Sequence, residues 1–125
     1  MLPLVVRDAG MHALIIEADP FVAITIEQVL LDLGYTSIEI AATAHEAILA
    51  ANNRCPDLIT ADSSTAAGCG IEAVQTICAQ RPIPVVFVTE EVLKVVQRVP
   101  AALTVQKPFP LIQLTNAVLR ARCPS

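Results

Sequence analysis

Charged residues are scarce in this chain of 125, at 16%, and basic ones scarcer still: eight Lys plus Arg against twelve Asp plus Glu give a net charge of −4. No basic stripe is available to follow a phosphate backbone, which argues against nucleic-acid binding. Apolar residues make up 54%, yet no run approaches the ~18 residues needed to cross a bilayer. A transmembrane helix is therefore not expected, and so high an apolar content excludes intrinsic disorder. Cys55, Cys69, Cys78 and Cys123 form neither a CxxC pair nor a zinc-ligand spacing, and read as reduced thiols of a cytoplasmic protein. There are only four glycines, and no glycine-rich nucleotide loop is present. The apolar stretch Leu2 to Val6 is too short for a signal-peptide core and has no basic residue before it. Residues 1–10 read as a leader and 11–125 as one domain.

From Met11 onward, short strand-like apolar runs alternate with longer runs of helical period, the pattern of βαβ units around a parallel sheet. Ala13–Ile16 is an unbroken β-rich run, as expected for a strand covered on both faces. Pro20 can open a helix over roughly 20–33, where Val22, Ile26, Val29, Leu30 and Leu33 recur at spacings of three and four before Gly34. Ser37–Ile40 suggests a second strand. Thr43 with Glu46 makes an N-terminal cap for a second helix, closed by Asn52, Asn53 and Pro56. Leu58–Ala61 is the third strand, followed by a loop of small residues from Ser63 to Gly70 and a helix face of Ile71, Val74, Ile77 and Cys78. Val85–Val88, a short helix over 91–98, Leu103–Val105 and a helix face of Leu111, Leu114, Val118 and Ala121 complete five strand-helix pairs. The fold class is α/β: a five-stranded parallel sheet flanked by five helices.

Ligands of such sheets sit beyond the carboxyl ends of the strands. The residues there are Glu17, Asp19, Asp62, Thr89 and Lys107. The acids suit a hard divalent cation, most naturally Mg²⁺, which takes one or two carboxylates and keeps several waters. Asp62 can attack phosphorus as a carboxylate nucleophile, while the cation and Lys107 neutralise the transferring group and the Thr89 hydroxyl hydrogen-bonds it afterwards. Taken singly, each residue has a plainer reading: Asp62 as a turn former, Thr89 as a helix cap, Lys107 as a solvated charge. His12 and His45 read as structural or exposed. Order and spacing together favour the chemical reading.

The chain resembles the receiver domain of two-component response regulators, of the chemotaxis-regulator type, from about Met11 to Arg122. The resemblance is carried by Leu14-Ile15-Ile16-Glu17-Ala18-Asp19-Pro20, by Pro56-Asp57-Leu58-Ile59-Thr60-Ala61-Asp62 with Gly70 eight residues on, by Pro84-Val85-Val86-Phe87-Val88-Thr89, and by Lys107-Pro108-Phe109. It implies a doubly wound, flavodoxin-like sheet in the order 2-1-3-4-5, and a signalling domain rather than an enzyme, with Asp62 as phosphoacceptor, Thr89 as switch hydroxyl and Lys107 as active-site lysine. It also implies a Mg²⁺ site made by Glu17, Asp62 and the backbone of Ser64. The Glu-x-x-Pro form of the acidic motif is similar to receivers of general-stress regulators. The implied partners are a histidine kinase or histidine phosphotransfer protein and a downstream protein, with a homodimer through the face of the fourth helix, fifth strand and fifth helix as a further expectation. No nucleic-acid or membrane partner is implied, and the chain reads as a stand-alone member.

Departures from the family pattern bear on the same site. Ala18 stands where the family usually has a second acid, and a methyl group cannot coordinate a metal, so Mg²⁺ binding should be weak. Asp19 or Glu90 is the alternative ligand, although Glu90 can equally act as a gate that repels an incoming phosphoryl group. Ala66 replaces the usual proline, and Thr104 takes the place of the aromatic residue whose rotation commonly reports phosphorylation. A degenerate receiver-like interaction module, phosphorylated weakly or not at all, is the competing reading.

Overall fold

A computed structural model describes residues 10–65 and 68–123; the leader expected before Gly10 and the substitution at Ala66 lie outside the described residues. The main sheet is built from β1 (Met11–Ile16), β2 (Tyr35–Ala41), β3 (Leu58–Ala61), β4 (Val85–Thr89) and β5 (Leu103–Gln106). All pairings in it are parallel, as the alternation of runs predicts, and the order is β2-β1-β3-β4-β5, as the receiver resemblance implies. The helices are α1 (Pro20–Asp32), α2 (Ala44–Asn53), α3 (Gly70–Cys78), α4 (Val92–Arg98) and α5 (Leu111–Arg122).

Local chemistry sets the helix starts. Pro20 occupies the first turn of α1, and the Asp19 carboxylate caps it, accepting from the Phe21 and Val22 amides at 2.9 and 3.4 Å. At α2 the Thr43 hydroxyl accepts from the Glu46 amide at 3.1 Å while the Glu46 carboxylate reaches back to the Ala42 amide at 2.9 Å. Gly34, at φ +100°, supplies the left-handed turn from α1 into β2. The second strand is longer than the apolar run implies, because backbone pairing with β1 extends it over the polar Thr36 and back to Tyr35. The loop after β3 holds a two-residue antiparallel pairing, Ser64 with Cys69 and Thr65 with Gly68. Nothing in its small-residue composition announces that pairing.

Alternation along the strands divides the core in two. Ala13, Ile15, Leu58, Val86, Val88 and Val105 pack under α1 and α5, against Ile26, Leu30, Leu114 and Val118. Leu14, Ile16, Ile59, Ala61 and Phe87 face the other way, onto Ala47 of α2, Ile71, Ala73 and Val74 of α3, and Val95 of α4. His12 is buried, as its structural reading holds; its Nδ1 lies 2.9 Å from Ser37 Oγ, which also accepts from Arg54 at 2.9 Å. Burial, reinforced by the Arg54 charge, lowers the His12 pKa. The four cysteines are free thiols, and no helix among the described residues is long and apolar enough to cross a membrane.

One core position carries an unmet polar group. Thr60, on β3 beside Ile15 and Val86, is fully buried, and its hydroxyl has no hydrogen-bond partner among the described residues. An orphaned hydroxyl costs its desolvation with no return. Thr60→Val should therefore stabilise the fold by about 1 kcal/mol, read as a higher midpoint in urea with an unchanged slope.

Candidate functional site

The parallel sheet brings the carboxyl ends of β1, β3, β4 and β5 to one edge, and there the side chains converge. Lys107 follows β5 and is held in register by its amide, which donates to the Thr89 carbonyl at 2.9 Å. Its Nζ donates to Glu17 Oε1 at 2.8 Å and to Asp62 Oδ2 at 3.0 Å. The partners come from β1 and β3, so one ammonium joins three strand ends. Glu17 is almost wholly buried, and Lys107 and Asp62 keep 12% and 17% of their side-chain surface. Burial works against the lysine charge, but the hydrogen bonds and charges of Glu17 and Asp62 outweigh it and raise the Lys107 pKa. The stabilisation that the lysine gains from this bridge is therefore present throughout the neutral range and, on the alkaline side, is lost as pH rises through the raised value of the folded state.

The other Asp62 oxygen, Oδ1, accepts from the Ser64 amide at 3.3 Å. Glu17 Oε2 accepts from the Asp19 amide at 3.1 Å. Ala18 is exposed beside them and contributes no donor. Asp19 is turned to α1, where its Oδ1 is the cap already described. Glu90 is exposed at the rim of a groove of about 340 Å³ that it lines with Phe21, Lys107 and Phe109. No group of three or more His, Cys, Asp or Glu side chains among the described residues is placed to hold a metal ion. Two carboxylates sharing one ammonium still match what a hard cation asks of a protein when water completes its shell. Glu17 and Asp62 are therefore the side chains that could hold such a cation.

Thr89 is fully buried and belongs to a second cluster. Its Oγ1 lies 2.7 Å from Ser63 Oγ and accepts from the Glu91 amide at 2.9 Å, while Ser63 Oγ donates to Glu91 Oε1 at 3.3 Å. Ser63 and Glu91 escaped the sequence reading. The signal was positional: each lies just beyond a strand end, and adjacency of β3 and β4 in the sheet order brings their loops together. On β5, Thr104 pairs in register with Phe87 and is half-buried.

The response regulator receiver domain model matches residues 13–119. The chain belongs to that family. This receiver is 31% identical over 118 residues to the phyllosphere-induced regulator PhyR of Methylorubrum extorquens, a match covering 91% of this chain and 44% of that protein. It is 28% identical to the solution structure of the Erythrobacter litoralis PhyR receiver domain, with a TM-score of 0.83 over 93% of this chain and 95% of the other. The PhyR response regulator of Brucella abortus superposes with a TM-score of 0.82 at 30% identity, over 92% of this chain and 49% of that one. This receiver thus spans about half the length of its full-length PhyR relatives. A chemotaxis protein of Vibrio cholerae, CheY4, shares the fold at 24% identity and a TM-score of 0.78.

Gly70, the first residue of α3, is part of what positions Asp62. A Cβ built there would overlap the Asp62 carbonyl oxygen and press on its carbonyl carbon, so the close approach itself demands glycine. Gly70→Ala should destabilise this receiver by about 1–3 kcal/mol, the usual cost of overpacking. Denaturant unfolding measures the loss, and amide chemical shifts at Asp62 and Ser63 should report the displaced loop.

Proposed function

We propose that this receiver accepts a phosphoryl group on Asp62 from a phosphohistidine of a histidine kinase or phosphotransfer protein and signals through altered protein binding. The observation that carries the reading is the Lys107 ammonium shared by Glu17 and Asp62 at 2.8 and 3.0 Å. A carboxylate oxygen of Asp62 forms the new bond to phosphorus as the phosphorus–nitrogen bond breaks. The electron pair stays on the departing imidazole nitrogen, and the imidazole leaves as a neutral molecule when its other nitrogen carries a proton. Lys107 sits where it neutralises charge that spreads over the transferring oxygens. A bound Mg²⁺, held by Glu17, Asp62 and the Ser64 backbone, would supply further charge neutralisation. Thr89, at the end of the neighbouring strand, is the hydroxyl that answers the modification.

The exposed apolar side chains Leu93 of α4 and Leu111 and Ile112 of α5 support an output surface for a downstream protein, or a second copy, on α4, β5 and α5. Two of the PhyR structures carry the description anti-anti-sigma factor, and another that of stress response regulator, which agrees with the Glu-x-x-Pro form of the acidic motif. These likenesses support a downstream partner that belongs to sigma-factor regulation. A second reading, an interaction module that binds its partner constitutively, is favoured by Ala18, whose methyl group removes one acid from the site.

Intact-mass measurement after incubation with acetyl phosphate and Mg²⁺ separates the two. A single phosphoryl-sized adduct that disappears in Asp62→Asn supports the first reading; no adduct at saturating metal leaves the second. Ala18→Asp tests the metal argument. The restored carboxylate should tighten Mg²⁺ about ten- to a hundredfold, the worth of one charge-assisted contact, followed by amide shifts around Asp62. Should Glu90 already act as the missing ligand, Ala18→Asp will add little and Glu90→Ala will remove metal binding instead.

A further inference from the structure

The hydroxyl protons around Thr89 can be assigned from chemistry alone. A carboxylate only accepts, so the one proton of Ser63 Oγ is committed to Glu91 Oε1. The 2.7 Å contact between the hydroxyls must then run the other way, with Thr89 donating to Ser63. Thr89 Oγ1 meanwhile accepts from the Glu91 amide. The result is a closed ring: Glu91 amide to Thr89, Thr89 to Ser63, Ser63 to the Glu91 carboxylate. Ser63 and Thr89 are both fully buried, so water does not compete for the bond between their hydroxyls.

We infer that Ser63 and Glu91 are positioning residues that latch the Thr89 hydroxyl away from Asp62 until phosphorylation, an inference that rests on the phosphoacceptor reading above. Thr89 has one proton, and the ring spends it on Ser63. To donate to a phosphoryl oxygen on Asp62, Thr89 must give up that bond and leave the buried Ser63 oxygen without its donor. The latch thus sets a threshold for switching. It is also joined to α4: Glu91 is the residue that precedes the helix, its carbonyl accepts from the Val95 amide at 3.2 Å, and its carboxylate lies 3.7 Å from Lys94 Nζ. Opening the ring frees the Glu91 side chain at the entrance of α4, which carries the event from the site to that helix.

The test uses the full chain with methyl-labelled threonine. Three-bond couplings read the Thr89 χ1 rotamer without phosphoryl donor, and intact mass reads phosphoryl occupancy with acetyl phosphate and Mg²⁺. In the unmodified protein Thr89 should hold one rotamer. Ser63→Ala should mix rotamers and raise steady-state occupancy roughly fivefold, the shift that one net hydrogen bond carries. Ser63→Thr, which keeps the hydroxyl, should restore both. Glu91→Ala, at a half-exposed side chain, should repeat the Ser63→Ala result if that variant folds poorly, whereas Glu91→Gln keeps an acceptor oxygen and should stay near the unmodified protein. A single unchanged rotamer in both alanine variants overturns the latch, as does a freed rotamer with unchanged occupancy. If no variant takes a phosphoryl group, the phosphoacceptor reading fails, and with it the regulatory role, while the rotamers still report whether the ring holds Thr89.

Discussion

The structure turns on one ammonium group. Lys107 is the point at which the ends of β1, β3 and β5 are tied together, because its Nζ is shared between Glu17 and Asp62. Burying three charged groups is costly, and only good geometry repays it. Here the repayment is visible: both contacts are at charge-assisted hydrogen-bond length, Glu17 takes a further hydrogen bond from the Asp19 amide and Asp62 one from the Ser64 amide. Without the ammonium, two carboxylates would face each other at a nearly dry strand edge, one of them almost fully buried. The site is preorganised by its own charges.

Everything below that edge serves to hold the strand ends in register. The two half-cores fix the sheet from both faces, and α1 and α2 enter on side-chain caps that their sequences supply. Gly70 lets α3 start against the Asp62 backbone, where any side chain would collide. The core is not ideal, since the Thr60 hydroxyl is buried without a partner, but this flaw lies two residues before Asp62 and on the face away from α3. The positioning of Asp62 depends instead on backbone contacts: its amide donates to the Ile16 carbonyl and the Gly70 amide to the Ser63 carbonyl, each at 3.0 Å.

Much of this was legible in the sequence because a parallel sheet imposes a simple geometry. Buried strands read as unbroken apolar runs, and the residues after them all reach one edge whatever the details of the helices. That is why Glu17, Asp62, Thr89 and Lys107 could be read as a set, and why the parallel sheet and the cap at Thr43 were open to inspection. What escaped depends on side-chain direction in loops. Ser63 and Glu91 sit beside residues that were singled out, yet only the structure shows that they turn toward Thr89. Asp19 was read as an alternative ligand, and only the structure shows its side chain accepting from two α1 amides. The short pairing of Ser64–Thr65 with Gly68–Cys69 has no apolar alternation to betray it.

Ala18 changes the electrostatics of the site as well as its donor count. Glu17 and Asp62 against Lys107 leave a net charge of about −1; a third acid would make it about −2. At an effective dielectric near 20, one unit charge at 4 Å is worth about 4 kcal/mol, so the missing carboxylate lowers the attraction for a divalent cation substantially. The same absence lowers the repulsion that an anionic phosphoryl donor meets on approach. The two effects oppose each other, and their balance falls to Lys107, which is present whether or not a cation is bound and whose raised pKa keeps it charged at neutral pH. A receiver with this composition leans on its own ammonium for charge neutralisation, and the buried ring around Thr89 then becomes the other place where its switching can be set.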